Sequence, residues 1–148
     1  TSVWGLRMHQ SEPESAEKLE HQVVFRLRWT TQKQWDLFGA HTPDATPTQF
    51  AILARLSQDG SLSQNLLGRR VGMDAATTKG VIDRLRSKGW VQSEPSKTDL
   101  RRLEISLTPQ GTQFAHDAIV RAQIVSEQTT KNLSPRETER LLALLGKL

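Results

Sequence analysis

The chain has 148 residues, of which 36% are hydrophobic and 5% aromatic, with a net charge of +4 and no cysteine. This length favours one domain, or two small modules that share a core. The absence of cysteine excludes disulfides, thiolate metal ligands and a thiol redox switch. No apolar run approaches the roughly 18 residues of a transmembrane helix and no signal peptide is visible, so we expect a soluble cytoplasmic protein without a membrane partner.

The positive charge is concentrated in one part of the chain. Residues 60–102 contain nine Lys or Arg and four Asp or Glu, a net charge of +5, while the remainder carries a net charge of −1. A localised basic excess is typical of proteins that contact nucleic acid phosphates. The alternative is a basic face that is merely solvated.

Residues 1–16 are polar and contain Pro13, and we expect them to form a flexible N-terminal arm. Met8 is a candidate initiator, which would make residues 1–7 an expression remnant.

Two helices are predicted next. Between Glu17 and Gly39 the apolar residues follow a helical period on two faces, one of which carries Phe25 and Trp29, and this predicts one long helix. A break with Pro43 follows. The sequence TPTQ at residues 46–49 then has the spacing of a capping box with proline at the first helical position, and it predicts the start of an amphipathic helix.

Residues 62–89 have the pattern of two short helices joined by a tight turn. Ser63 is predicted to cap the first helix and Gly72 to end it. Asp74 is predicted to cap the second helix, which Gly89 closes in a left-handed turn. The segment therefore predicts a helix-turn-helix.

The second of these helices has the features of a DNA recognition helix. Val81, Ile82 and Leu85 form one apolar stripe, while the opposite face is slim at its start and basic in its middle. That shape suits a major groove about 12 Å wide. We expect Asp83 to form an ion pair on the helix surface with Arg84 or Arg86 that orients Arg84 toward a phosphate.

Downstream the hydrophobic period changes from that of a helix to that of a strand. Leu103, Ile105 and Leu107 alternate with polar residues, as in a half-buried strand, and Trp90–Glu94 is the candidate partner strand. The loop between the strands is rich in turn residues and basic at its tip. A helix-turn-helix followed by such a hairpin predicts a winged helix.

The C-terminal part predicts two further helices. Thr108-Pro109 starts one that extends to about Lys131, and the capping-box sequence SPRE at 134–137 starts a leucine-rich helix. Its five leucines exceed what a lone surface helix carries, so the terminal helices are predicted to pair with a second copy of the chain. The alternative is a closed monomeric bundle.

The sequence resembles the MarR family of bacterial transcriptional regulators. The resemblance is carried by TPTQFAILARL, by GSLSQNLLGRRVGMDAATTKGVIDRLRSKGWV, by Asp99-Leu100-Arg101 in the wing and by Leu107-Thr108-Pro109-Gln110-Gly111. In that family an Asp-x-Arg precedes the second strand and a Leu-Thr-x-x-Gly opens the next helix. Both motifs occur here at the same spacing, and the close match covers about Pro47–Gly111.

The resemblance implies a mainly α fold with a small β-hairpin wing. The winged helix-turn-helix would occupy residues 46–108, flanked by dimerisation helices at 17–45 and 109–148. The implied function is that of a repressor released from a palindromic operator in double-stranded DNA by a small effector such as an aromatic acid or phenol. The stretch TTKGVIDRL is similar to members that govern aromatic catabolism. A winged helix that binds proteins, without specific DNA binding, is the alternative.

The predicted DNA contacts lie at the first helix cap, on the recognition helix and in the wing. They are Ser63, Ala76, Thr77, Thr78, Lys79, Arg84, Lys97, Asp99, Arg101 and Arg102. Arg101 is expected to reach the minor groove or its phosphates, held in place by a salt bridge from Asp99.

The candidate effector site combines aromatic side chains with one guanidinium group. Stacking area and a bidentate partner suit a flat carboxylate, and the candidates are Phe25, Arg28, Trp29 and Phe50. The alternative is that the aromatic residues belong to the core and that Arg28 is solvated.

No catalytic motif accompanies these features. The patterns GxGxxG, GxxxxGK[ST], HExxH and GxSxG are absent, and the four histidines lack the spacing of metal ligands. We therefore predict a protein without enzyme activity, metal or cofactor.

Overall fold

The computed structural model describes residues 18–148, so the predicted N-terminal arm at 1–16 lies outside the described residues. Within 18–148 the chain forms helices and a single two-stranded sheet, which confirms the predicted mainly α fold with a β-hairpin. The helices are α1 (Val23–His41), α2 (Pro47–Asp59), α3 (Gln64–Val71), α4 (Ala75–Ser87), α5 (Pro109–Thr129) and α6 (Pro135–Leu145), and the strands are β1 (Val91–Pro95) and β2 (Leu103–Leu107).

The chain divides between Gln34 and Trp35, inside α1, into two structural units. The described part of the first unit contains a 3-10 turn at Leu19–His21 and the beginning of α1. The second unit contains the rest of α1 and all later elements.

The first helix differs from its prediction at both ends. Instead of starting near Glu17, α1 starts at Val23, because Gln22 has an extended backbone that separates it from the preceding 3-10 turn. The helix continues past Gly39 to His41, since a glycine inside a helix costs only about 1 kcal/mol relative to alanine.

The helix starts predicted from capping patterns are confirmed. The Thr46 hydroxyl accepts a hydrogen bond from the Gln49 backbone N–H at 3.1 Å, and the Gln49 side chain accepts one from the Thr46 backbone N–H at 3.2 Å. Ser134 and Glu137 form the same reciprocal box at the start of α6. Ser63 and Thr108 cap α3 and α5 through their hydroxyl oxygens. Local sequence thus determines where these helices begin.

The core of the second unit draws on α2, α3, α4, both strands and α5. The segment before α3 also joins the sheet, because Leu62 and Ile105 exchange two backbone hydrogen bonds of 3.1 and 2.7 Å. The buried hydrophobic cluster consists of Ala45, Ile52, Leu53, Leu56, Leu62, Leu67, Val81, Ile82, Leu85, Trp90, Val91, Ile105 and Ala115.

The hairpin confirms the predicted wing but not its alternating burial. The strands are antiparallel, with Val91 opposite Leu107 and Pro95 opposite Leu103. Leu103 is 64% exposed because it lies at the end of the hairpin farthest from Val91, and Ser106, predicted to face outward, is buried. The prediction that Leu103 faces the core was therefore wrong.

The C-terminal helix α6 contains no buried residue. Its leucines at 141, 142, 144 and 145, and Leu148 beyond it, remain between 38% and 83% exposed within this chain. None of the helices between residues 18 and 148 is long and apolar enough to cross a membrane.

The start of α5 approaches the chain after α4 so closely that only glycine fits at residue 111. The Thr108 backbone N–H donates to the Trp90 carbonyl at 3.0 Å, and the Thr108 hydroxyl donates to the Gly89 carbonyl at 2.6 Å. A Cβ atom on Gly111 would overlap the Trp90 carbonyl oxygen. The glycine of the Leu-Thr-x-x-Gly motif therefore allows α5 to pack against the end of the recognition helix.

Gly111→Ala should lower the free energy of unfolding by about 1–3 kcal/mol, the usual cost of inserting a methyl group into a filled space. The matched control is Gly80→Ala in α4, where nothing lies within 4 Å of the added Cβ. That change should stabilise the protein by about 0.5–1 kcal/mol because alanine favours the helix. Denaturant unfolding measures both. Equal effects of the two substitutions would contradict the close approach.

Candidate nucleic-acid interface

The turn between α3 and α4 is fixed by local hydrogen bonds. Gly72 ends α3 in the left-handed conformation, with φ of +71°. Asp74 Oδ1 then accepts a 2.7 Å hydrogen bond from the Thr77 backbone N–H at the start of α4. This hydrogen bond holds the pKa of Asp74 below its usual value. Both ends of the turn therefore follow the sequence prediction.

The exposed start of α4 carries three of the predicted DNA contacts, Ala76, Thr77 and Lys79. Ala76 and Thr77 are small and lie in the first turn, so another surface can approach this end of the helix closely. These residues remain predicted contacts, and the structure leaves their side chains accessible.

Thr78 was wrongly predicted as a DNA contact, because its side chain is only 1% exposed. It lies three and four residues before Val81 and Ile82, which puts it on the buried face of the helix. Its hydroxyl donates to the Asp74 carbonyl at 2.7 Å, and a Cβ on Gly68 would come within 2.7 Å of the same oxygen. Thr78 therefore joins α3 to α4 instead of facing solvent.

Asp83 does not pair with Arg84, as one alternative from the sequence had it. Its two carboxylate oxygens contact Lys79 Nζ and Arg86 Nη1, each at 2.9 Å. Residues three and four positions apart share a helix face, whereas adjacent residues point in different directions. The expected orienting of Arg84 by Asp83 is therefore wrong, and Arg84 is exposed without an ion pair among the described residues.

The wing tip is organised by Asp99. Its Oδ1 accepts from the Arg101 backbone N–H at 3.1 Å and lies 3.5 Å from Arg101 Nε, which confirms the predicted ion pair. Its Oδ2 lies 3.8 Å from Arg102 Nε. The side chains of Arg101 and Arg102 are 94% and 79% exposed, and Lys97 in the same loop is exposed as well. The tip thus presents basic groups to solvent.

A cleft of about 500 Å³ joins the start of α3 to the wing. Ser63 lines it, but its hydroxyl is occupied by the Leu66 backbone N–H at 3.2 Å. Arg102 lines the other side, and Arg69 of α3 adds a second guanidinium group that the sequence analysis missed. Gln64 and Asn65, also missed, complete the polar lining. Both residues lie in the first turn of α3, four and five residues before Arg69, and this proximity to a basic residue was the signal that could have identified them.

The candidate effector residues fall in two different units. In the first unit, the rings of Phe25 and Trp29 stack with centroids 6.4 Å apart, while Arg28 is exposed. In the second unit, the Phe50 ring lies 5.2 Å from that of Phe38. Phe50 also lines a cavity of about 440 Å³ between α2 and α5, whose far side includes Ile119. A single pocket formed by all four predicted residues remains a prediction.

A further cavity of about 710 Å³ lies at the end of α4 and was not anticipated. The rings of Trp90 and Phe114 stack in its wall with centroids 3.9 Å apart. Lys88 Nζ lies 4.7 Å from the Trp90 ring centroid and donates hydrogen bonds to the Asp44 carbonyl and to Gln49 Oε1. These contacts connect α4 to the start of α2.

Among the described residues, no three His, Asp or Glu side chains come together in a way that could hold a metal ion.

The fold and the basic surface define a winged helix-turn-helix protein, a class in which the second helix of the motif enters the major groove. The sequence model of the MarR family matches residues 45–103. The chain is 32% identical over 129 residues to the HTH-type transcriptional repressor NicR of Pseudomonas putida, an alignment covering 86% of this chain and 82% of NicR. The chain therefore belongs to the MarR family.

Solved structures agree with this assignment. A probable transcriptional regulator from Pseudomonas aeruginosa superposes with a TM-score of 0.80 at 39% identity, covering 88% of this chain and 98% of the other. Bordetella bronchiseptica BpsR, whose DNA binding is regulated by 6-hydroxynicotinic acid, superposes with a TM-score of 0.81 at 27% identity, covering 88% and 94%. The present chain is a DNA-binding transcriptional regulator of the same family.

Proposed function

We propose that this protein is a homodimeric repressor that binds an imperfect palindrome and is released from it by a small aromatic acid. The observation that carries the DNA-binding part is the continuity of basic groups from α3 to the wing. Arg69 and Arg102 line one cleft, and Lys79, Arg84 and Arg101 are exposed in α4 and at the wing tip. Two such surfaces related by a two-fold axis would read half-sites about 10 bp apart.

Arg101 is the group from which we expect the clearest effect. Its guanidinium is almost fully exposed and Asp99 restricts its position, so it can enter a narrow minor groove with little further ordering. Lys97 lies in the same loop and is exposed, but Asp99 forms ion pairs with the arginines and not with Lys97.

Arg101→Ala should weaken binding to the operator by roughly 5- to 150-fold, the equivalent of about 1–3 kcal/mol for a groove contact. The probe is the DNA upstream of the protein's own gene, measured by fluorescence anisotropy at several salt concentrations. Lys97→Ala is the control. It should reduce the affinity for DNA less than Arg101→Ala does, and by a similar factor for all sequences, as expected when a phosphate contact is lost. Unchanged operator affinity in Arg101→Ala, or no preference for upstream over random DNA, would reject the proposal in favour of a protein-binding winged helix.

The proposal of a homodimer follows from the uncovered leucines of α6. At helical spacing Leu141, Leu144 and Leu145 lie on one side of the helix, and all are more than a third exposed within the chain. Full burial of a leucine side chain contributes about 1.5–3 kcal/mol, so covering this side is strongly favourable. Resemblance to the family implies that a second copy covers it.

Leu141→Arg combined with Leu145→Arg should convert the dimer into a monomer, because two charges would enter an apolar interface. Light scattering coupled to gel filtration gives the mass directly. Leu100→Arg is the matched control, since Leu100 is 79% exposed at the wing and lies away from α6. A wild-type monomer at all concentrations would support the closed bundle instead.

The proposed effector is a flat aromatic carboxylate. The stacked rings of Phe25 and Trp29 beside the exposed Arg28 offer stacking area and a bidentate partner in the first unit. BpsR supplies a precedent, because its regulation by 6-hydroxynicotinic acid suggests pyridine and benzene carboxylates as the compounds to test.

A panel of such acids should release the operator complex of the wild type, and Arg28→Ala should raise the half-releasing concentration at least about tenfold, the equivalent of one lost charged hydrogen-bond pair. Lys33→Ala is the control, because Lys33 is another exposed cation of the same helix. Release that is equally sensitive in Arg28→Ala would contradict the role of this guanidinium, and no release by any acid would contradict the ligand class.

A further inference from the structure

A single carboxylate, that of Asp83, forms ion pairs with two of the three cations on the recognition helix. Asp83 Oδ2 accepts a hydrogen bond from Lys79 Nζ one turn before it, and Asp83 Oδ1 accepts one from Arg86 Nη1 one turn after it, both at 2.9 Å. Each carboxylate oxygen therefore has its own cation. The hydrogen bond from Lys79 is the main reason that the pKa of Asp83 lies below its usual value, so the group is charged at neutral pH.

Arg86 is held at a second point as well. Its Nη2 donates a 2.8 Å hydrogen bond to the hydroxyl of Ser93 in β1. One guanidinium thus bridges the recognition helix and the wing, with one arm on each. A phosphate that recruits Arg86 must compete with both contacts.

The position of Asp83 makes this arrangement relevant to DNA. Its side chain is 47% exposed, and at helical spacing it lies on the same outward side as Ala76 and Gly80. A DNA backbone approaching this side would meet the negative charge within one Debye length, about 10 Å at ordinary ionic strength. Arg84 is the remaining cation of α4 and has no carboxylate partner among the described residues.

We propose that Asp83 is a positioning residue that sets DNA specificity by withholding Lys79 and Arg86 from phosphates of arbitrary sequence. The inference rests on the proposed DNA-binding function. Non-specific binding comes almost entirely from phosphate contacts, so a carboxylate that neutralises two cations penalises it directly. At the correct site, base contacts offset the loss of the internal ion pairs, and the difference between the two affinities widens.

The first measurement tests non-specific binding and therefore does not require the operator sequence. The wild type and Asp83→Asn are titrated with a mixed-sequence 30-bp duplex at graded salt concentrations. We expect Asp83→Asn to bind this duplex about tenfold more tightly, with the slope of log K against log salt steeper by about one to two, as one or two further cations reach phosphates. Asp83→Glu, which keeps the charge, should remain near the wild type, and melting temperatures should show that all variants are folded.

Two controls separate the local role of Asp83 from net charge. Asp117→Asn makes the same charge change in α5, where the carboxylate accepts hydrogen bonds from Gln113. It should change the affinity for the mixed duplex by less than about twofold, because Asp117 forms no ion pair with a cation of α4 among the described residues. Lys79→Gln should reduce the affinity for the mixed duplex more in the Asp83→Asn background than in the wild type. Only in that background is Lys79 free of its ion pair with residue 83 when it meets a phosphate of arbitrary sequence.

Equal or weaker binding of the mixed duplex by Asp83→Asn, or an equal gain in Asp117→Asn, overturns the inference while leaving DNA binding intact. Failure of the wild type to bind any duplex at low salt overturns both the inference and the proposed function. A gain confined to Asp83→Asn that lowers the ratio of upstream to mixed-duplex affinity supports the inference.

Discussion

The end of the recognition helix is anchored through Trp90. Its carbonyl accepts the Thr108 backbone N–H at the start of α5, and its ring stacks on Phe114 of the same helix. Lys88 lies over the same ring and donates to the Asp44 carbonyl before α2. Because these contacts join α2, α4 and α5, the orientation of α4 depends on the positions of the two helices that line the cavity near Phe50.

This anchoring gives a route from the cavity near Phe50, one of the four predicted effector residues, to the recognition helix. A ligand that prefers one spacing of α2 and α5 would shift the population toward the matching orientation of α4. A ligand that binds one arrangement 100-fold more tightly stabilises it by about 2.7 kcal/mol. If the two arrangements have similar free energies, this difference moves most of the dimer into the arrangement in which the recognition helices no longer match their half-sites. The ion pairs of Asp83 act on the same step from the DNA side, because they reduce the non-specific affinity that would otherwise retain the released protein on DNA.

The sequence predicted the features that depend on neighbouring residues. Ser63 and Asp74 start their helices as expected because a capping bond joins residues three positions apart. The predictions that were wrong depend on contacts between different helices and strands, or on which of several nearby side chains a residue pairs with. Thr78 looks polar and accessible in the sequence, yet it packs against α3. Asp83 has three basic neighbours, and only the helix geometry selects two of them. Leu103 follows the strand period but lies beyond the core.

In the proposed complex, DNA lies across α4 and the wing. Lysine acetylation followed by mass spectrometry, with and without upstream DNA, tests it most directly because the lysines are distributed over the fold. We expect DNA to protect Lys79 in α4 and Lys97 in the wing, while Lys131 and Lys147, which flank α6, react equally in both samples. Protection of Lys131 and Lys147 with continued labelling of Lys79 and Lys97 would contradict it.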